Sequence, residues 1–212
     1  MRKTLILSLA LMAFLALAAS PLPIFAQEEK KMTQEAMPMT PPKPLADDFF
    51  NWMAGEWEGW STSPTGKTQD WQKIEWGLDN QFLMTHYSAK TTEVNQEAMK
   101  AWAEAYKMSK EDMDKMAKMV YKGMGPMTIN PMTGEIVGYW FDNWRGSYKG
   151  TGKREGNKIT MHWEGTMGTS ERTIEKASDD KMVMTYQEKD PTGKVVEGRT
   201  ELTRKKMAPK KT

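Results

Sequence analysis

The stretch Phe49-Phe50-Asn51-Trp52-Met53-Ala54-Gly55-Glu56-Trp57-Glu58-Gly59-Trp60 decides how the rest of this 212-residue chain is read. Its first half is a short apolar turn carrying Phe49, Phe50, Trp52 and Met53. From Gly55 the pattern stops looking helical and begins to alternate. A glycine lets the backbone bend sharply at the start of a strand. A tryptophan two residues later can bury a large ring at the closed end of a barrel. The stretch is therefore expected to hold a turn that plugs a barrel base, followed by the first strand.

Working outward from it, about ten strand-like runs follow, at 55–62, 70–77, 82–89, 126–130, 135–142, 146–153, 158–165, 169–177, 181–189 and 194–204. Pro64-Thr65-Gly66, Asp79-Asn80, Asn130-Pro131-Met132-Thr133-Gly134, Glu155-Gly156-Asn157, Asp179-Asp180 and Pro191-Thr192-Gly193 read as tight reversals between them. Alternation is clearest where Ile159, Met161 and Trp163 oppose Thr160, His162 and Glu164, and where Ile136, Gly138, Trp140 and Asp142 share a face. Short links dictate antiparallel neighbours. A meander of this length closes most naturally on itself, because closure removes exposed edges. The expected fold is all-β, a roughly ten-stranded antiparallel up-and-down barrel.

One segment, 96–122, breaks the period. Met99, Trp102 or Ala103, and Tyr106 recur at helical spacing, and Ser109 with Asp112 signals the start of a second helix. That helix carries the stripe Met113, Met116, Ala117 and Val120 and is expected to end at Gly123. The segment reads as a helix–turn–helix insertion between strands three and four, too small for a core of its own. It can cover the barrel mouth as a lid or pack on the outer wall; the sequence leaves both open.

Upstream, residues 1–26 read as a secretory signal, with Arg2 and Lys3 before an apolar run from Leu5 to Leu17 and Ala26 at the cut; a cut after Ala19 is the alternative. The apolar run, about 13 residues, is short of the ~20 that span a bilayer. Residues 27–44 form a charged, proline-rich linker that cannot bury enough apolar surface to order itself. The barrel domain takes 45–204, and 205–212 is a basic tail. This organisation predicts a secreted or periplasmic protein. Removing Arg2 and Lys3 takes the formal charge from +2 to 0, which argues against a dedicated nucleic-acid binder. The absence of cysteine rules out disulfides. No membrane span is expected, and oligomeric state is not legible.

Gly55-Glu56-Trp57 resembles the Gly-x-Trp opening of lipocalin-like (calycin) barrels. Asn130-Pro131-x-x-Gly134-x-Ile136-x-x-x-Trp140-x-Asp142 resembles a hairpin motif of an uncharacterised secreted bacterial family of such barrels. In this chain Ile129-Asn130 stands where that family has Tyr-Asp, and Ile136 where it has Tyr. The resemblance, from about Phe49 to Arg204, implies a lipocalin-like barrel related to the nitrobindin haem barrels, and brings no established activity. It also implies a late-strand arginine clamping the Trp57 ring: Arg199 by position, Arg204 second.

Nine tryptophans and twenty methionines are the compositional excess. The rings either form the core or line a cavity for a small apolar or amphipathic ligand. The candidate lining is Trp57, Trp76, Met84, His86, Trp140, Trp163 and Tyr186. Of the two histidines, His86 shares a face with Phe82 and Met84 and is the better internal residue for a proximal haem ligand; His162 is expected to face outward. Met113 and Met116, thioethers at helical spacing, are a weak alternative site for Cu(I), although such a stripe is also what a helix needs to pack on a wall. No catalytic or metal constellation is recognisable, and no cofactor is the leading expectation. The sequence reads as a non-enzymatic binder, with haem or Cu(I) binding, or a filled interaction scaffold, as the alternatives.

Overall fold

The computed structural model describes residues 42–166, 168–189 and 194–206. The signal segment, the linker to residue 41, the Pro191-Thr192-Gly193 turn and residues 207–212 lie outside the described residues.

The chain opens with α1 (Asp48–Met53), then runs through β1 (Gly55–Ser63), β2 (Gly66–Gly77) and β3 (Phe82–Val94). Helices α2 (Gln96–Tyr106) and α3 (Lys110–Lys118) intervene before β4 (Val120–Ile129). The meander continues through β5 (Ile136–Asp142), β6 (Ser147–Glu155), β7 (Lys158–Gly165), β8 (Gly168–Ser178), β9 (Lys181–Lys189) and β10 (Val195–Arg204). Each strand pairs antiparallel with the next, and β1 pairs with β10, so the ten strands form a closed barrel. Closure leaves no strand edge unpaired.

The turn chemistry does what its residues dictate. Asn130 Oδ1 accepts from the Met132 amide at 2.9 Å, and Gly134 takes φ 71°, which costs glycine nothing. Asp47 caps α1 by accepting from the Phe50 amide at 2.9 Å. Ser109 and Asp112 form the capping box of α3.

The insertion is smaller than expected. Rather than running to Gly123, α3 stops at Lys118, and β4 begins at Val120 rather than near 126. Val120 and Tyr121 pair with Lys90 and Ala89 of β3. A β-branched and an aromatic residue favour the ladder over another helical turn. Helix α3 lies against β3.

Two ends of the barrel differ. The base holds α1 and the links that follow β2, β4, β6 and β8; the mouth holds the links that follow β1 and β5 and the two later helices. At the base Phe49, Phe50, Trp52 and Met53 are buried, and with Trp57, Ile74, Leu83, Met127, Ile136, Ile159, Met161, Met182 and Leu202 they make one core. Trp57 is fully buried and its Nε1 donates to the Met53 carbonyl at 2.8 Å.

Candidate ligand site in the mouth half

Register decides which side chains face inward. The clamp on Trp57 is Arg204, not Arg199. The Arg204 guanidinium lies 4.1 Å from the Trp57 ring centroid and donates to the carbonyls of Trp52 at 2.5 Å and Ala54 at 2.8 Å. Gly55 makes room for it: at φ 142°, a Cβ there would stand 2.6 Å from Arg204 Nη1. Arg199 pairs opposite Thr62 and Thr185 on the outer face, is 52% exposed, and binds Glu201 at 3.0 Å. Its odd number along β10 puts it on the wrong side of the pleat.

The same rule sorts the expected cavity residues. His86 sits opposite Lys73 and Met124, and Met84 opposite Glu75 and Pro126. Lys73 and Glu75 form a surface ion pair at 2.6 Å and Met124 is exposed, so His86 and Met84 lie on the outer wall. Between them Leu83, Thr85 and Tyr87 face inward. His162 is also outside, its Nδ1 against Glu171 and its Nε2 3.2 Å from Glu164. No described histidine therefore lines the interior, and a haem held by a proximal histidine does not fit these residues. Trp57 and Trp76 belong to the base; the Trp76 Nε1 reaches Asn51 at 3.2 Å and its ring packs 6.3 Å from Phe50. Trp140, Trp163 and Tyr186 face the interior above the core. Met113 and Met116 lie half-buried on α3. Among the described residues, no group of three or more His, Cys, Asp or Glu could hold a metal ion.

Above the core the interior changes character. Asp70 is buried and accepts from three hydroxyls: Ser61 and Tyr87 on Oδ2, the latter at 2.5 Å, and Thr68 on Oδ1. Ser61 also meets Thr200 Oγ1 at 2.5 Å. Burial raises the Asp70 pKa above the usual carboxyl value, and the three hydroxyls oppose the shift. Burial, then the Asp70 charge, pushes the Tyr87 phenol well above its ordinary value; burial pushes Tyr121 up to about 12. These phenols stay protonated, and their single protons are directed to carboxylates: Tyr87 to Asp70, and Tyr121 to Asp142 Oδ2 at 3.3 Å.

A second polar group comes from β8 and β9. Arg172 Nη2 donates to Glu188 at 2.5 Å and Nε to Ser170 Oγ at 3.3 Å, with the guanidinium 5.5 Å from the Tyr186 ring centroid. Burial opposes the Arg172 charge, while Glu188 and then the neighbouring phenols favour it, and the balance holds its pKa above the usual value. Yet 47% of its side chain is accessible.

The aromatic rings lie against glycines on neighbouring strands. Trp163 covers Gly150 and reaches Gly138, Trp140 covers Gly123, and Tyr186 covers Gly198. A missing Cβ lets a ring lie flat on the wall instead of projecting across the lumen. This is a packing reason for inward-facing glycines, which strand propensity alone disfavours. Trp140 Nε1 donates to Tyr121 at 2.9 Å, whereas Trp163 Nε1 is buried and has no hydrogen-bond partner.

Asp70, Tyr87, Arg172 and Glu188 were not singled out from sequence. The available signal was a polar residue at a core-facing position of a period-two run, in Thr68-x-Asp70-x-Gln72-x-Ile74 and Ser170-x-Arg172-x-Ile174.

No protein-family model matches the chain, and no curated protein matches it in sequence. Among solved structures it is similar to Rv2717c from M. tuberculosis, at 11% identity and a TM-score of 0.52, over 76% of this chain and 100% of that one. It is more loosely similar to the S-type phycobiliprotein lyase CPES from Guillardia theta, at 13% identity and a TM-score of 0.49, over 76% of this chain and 92% of that one. Identities this low speak to fold alone. The class is an all-β, closed, ten-stranded antiparallel barrel with a small helical insertion, the architecture that the strand pattern predicts.

Proposed function

We propose that the protein is an exported, non-enzymatic binder of a small amphipathic molecule held in the mouth half of its barrel. The observation that carries this reading is Arg172, a cation on the inward face of β8, 5.5 Å from the Tyr186 ring centroid and still 47% accessible. The faces of Trp140, Trp163 and Tyr186 suit a flat apolar body, and Arg172 suits a polar or anionic end. A site that is mostly aromatic with a few convergent polar groups is what small-ligand cavities share. Asp70 holds its neighbours rather than acting on a substrate, since both of its oxygens already accept hydroxyls. Export rests on the basic-then-apolar start of the sequence. Sequencing the amino terminus of protein from the cell envelope is expected to begin at Gln27.

Native mass spectrometry of protein from its own host is expected to show a co-purified organic mass. Anilinonaphthalene sulfonate, an anionic aromatic probe, serves in vitro. A hydrogen bond to a charged group contributes about 1.5–3 kcal/mol, so Arg172→Met should weaken probe binding by roughly tenfold or more. Arg199→Met, on the outer wall, should leave it unchanged. Equal binding by both variants would place the probe elsewhere and refute the site.

A further inference from the structure

The outer wall of the barrel is chemically lopsided. Outward positions on β7 to β10 carry ion pairs, among them Lys158 with Glu175 at 3.2 Å and Lys181 with Glu201 at 2.8 Å. None of the outward positions from Phe82 to Lys90 of β3, on β4 or on β5 is acidic. Instead, Met124 and Phe141 stand side by side across the β4–β5 ladder, and Tyr139 follows on the same face. Trp144 continues the patch into the mouth link. These four side chains are between 42% and 50% exposed. Contiguous exposed apolar residues of this kind mark an interaction surface.

The rim of the patch is cationic. Lys149 is paired directly opposite Tyr139, Lys122 lies two residues before Met124, and Lys90 and Arg145 sit toward the mouth. None of the four makes an ion pair with a carboxylate among the described residues. We infer that this wall docks reversibly on an anionic lipid bilayer surface. Tyrosine and tryptophan rings suit the boundary between headgroups and acyl chains, where one edge is wet and the other dry. Lysine stems lie along apolar surface while their ammonium groups reach acidic headgroups. A second copy of the chain is the poorer occupant. A self-complementary contact would bring the four cations toward their own images, with Glu164, opposite Lys149 at the edge of the patch, as the one carboxylate beside a rim cation on these ladders. Because Trp144 and Arg145 belong to a mouth link, a docked barrel would hold its opening near the bilayer.

The test is co-sedimentation of the full chain with vesicles of phosphatidylcholine alone and of phosphatidylcholine mixed with phosphatidylglycerol. Every variant keeps both termini, so the differences between variants report the wall. A basic residue near an anionic surface contributes about a fivefold change in partitioning, so Lys122→Gln with Lys149→Gln should reduce binding to the anionic vesicles about 25-fold. Phe141→Ser with Trp144→Ser should weaken binding, and added salt should weaken the wild type. Trp60→Ser removes an exposed ring from β1, off the patch, and should change nothing. If the serine pair melts early, the lysine pair decides alone. Three results would overturn the inference: wild-type binding by the lysine pair, an equal loss in Trp60→Ser, or a dimer in vesicle-free buffer that both patch variants dissociate.

Discussion

Replacing Gly150 by alanine asks directly whether the mouth half of the barrel is open. The added Cβ would stand 2.7 Å from Cδ2 and Cε3 of Trp163. Ordinary contact begins at 3.4 Å, so the ring must move inward by about 0.7 Å, the difference of the two. Gly150 does not lie in the left-handed region, so alanine fits its backbone and restricts the unfolded chain, a gain of about 0.4–1 kcal/mol. In a solid interior the ring has nowhere to go, and overpacking costs about 1–3 kcal/mol. With open space inside, the ring yields at little cost and the backbone gain remains, so stability should equal the wild type or exceed it by up to about 1 kcal/mol. The displaced ring would still narrow the slot, so affinity for anilinonaphthalene sulfonate should fall while stability holds. Urea unfolding followed by tryptophan fluorescence measures the first, and titration of the same samples the second. A loss of about 2 kcal/mol or more at unchanged m-value would show a packed interior and refute the reasoning.

The base clamp offers a sharper contrast. Arg204→Met removes a cation over Trp57 and two bonds to buried carbonyls and should cost about 2–4 kcal/mol, whereas Arg199→Met should stay within about 0.5 kcal/mol; comparable values in urea unfolding would reject the assignment. Burial raises the Asp70 pKa in the folded state, so Asp70 favours the fold most at pH values below the unfolded carboxyl value, and that contribution is lost as pH rises through the raised folded value. The stability difference between wild type and Asp70→Asn should therefore shift in favour of asparagine from acid to neutral pH, and a difference independent of pH would contradict it. Glu171, then Glu164, holds the His162 pKa above its usual 6.5, so an NMR titration of the imidazole should move back toward that value in Glu171→Gln; an unmoved midpoint would mean that Glu171 is not the cause.

Much of the barrel was legible in the chain as written. Ten runs of alternating residues and the turn chemistry between them are local properties, and each strand pairs with its sequence neighbour. The plug at Phe49–Met53, Trp57 at the base, and the capping box at Ser109 and Asp112 follow from the same short-range patterns. The end of the insertion was misread because Val120 fits the stripe of Met113, Met116 and Ala117 as well as it fits a strand, and only pairing with β3 decides between them.

What sequence determined is the class: a closed antiparallel meander with an apolar base. Tertiary structure decided the interior. A strand with half-apolar residues on both faces does not announce which face is inside, because a one-residue slip exchanges the two; that ambiguity put His86 and Met84 inside and Arg199 in place of Arg204. The site draws its side chains from strands far apart in the chain, and no local pattern links Asp70 to Tyr87 or Arg172 to Glu188. Those contacts exist only once the sheet has closed and set its register.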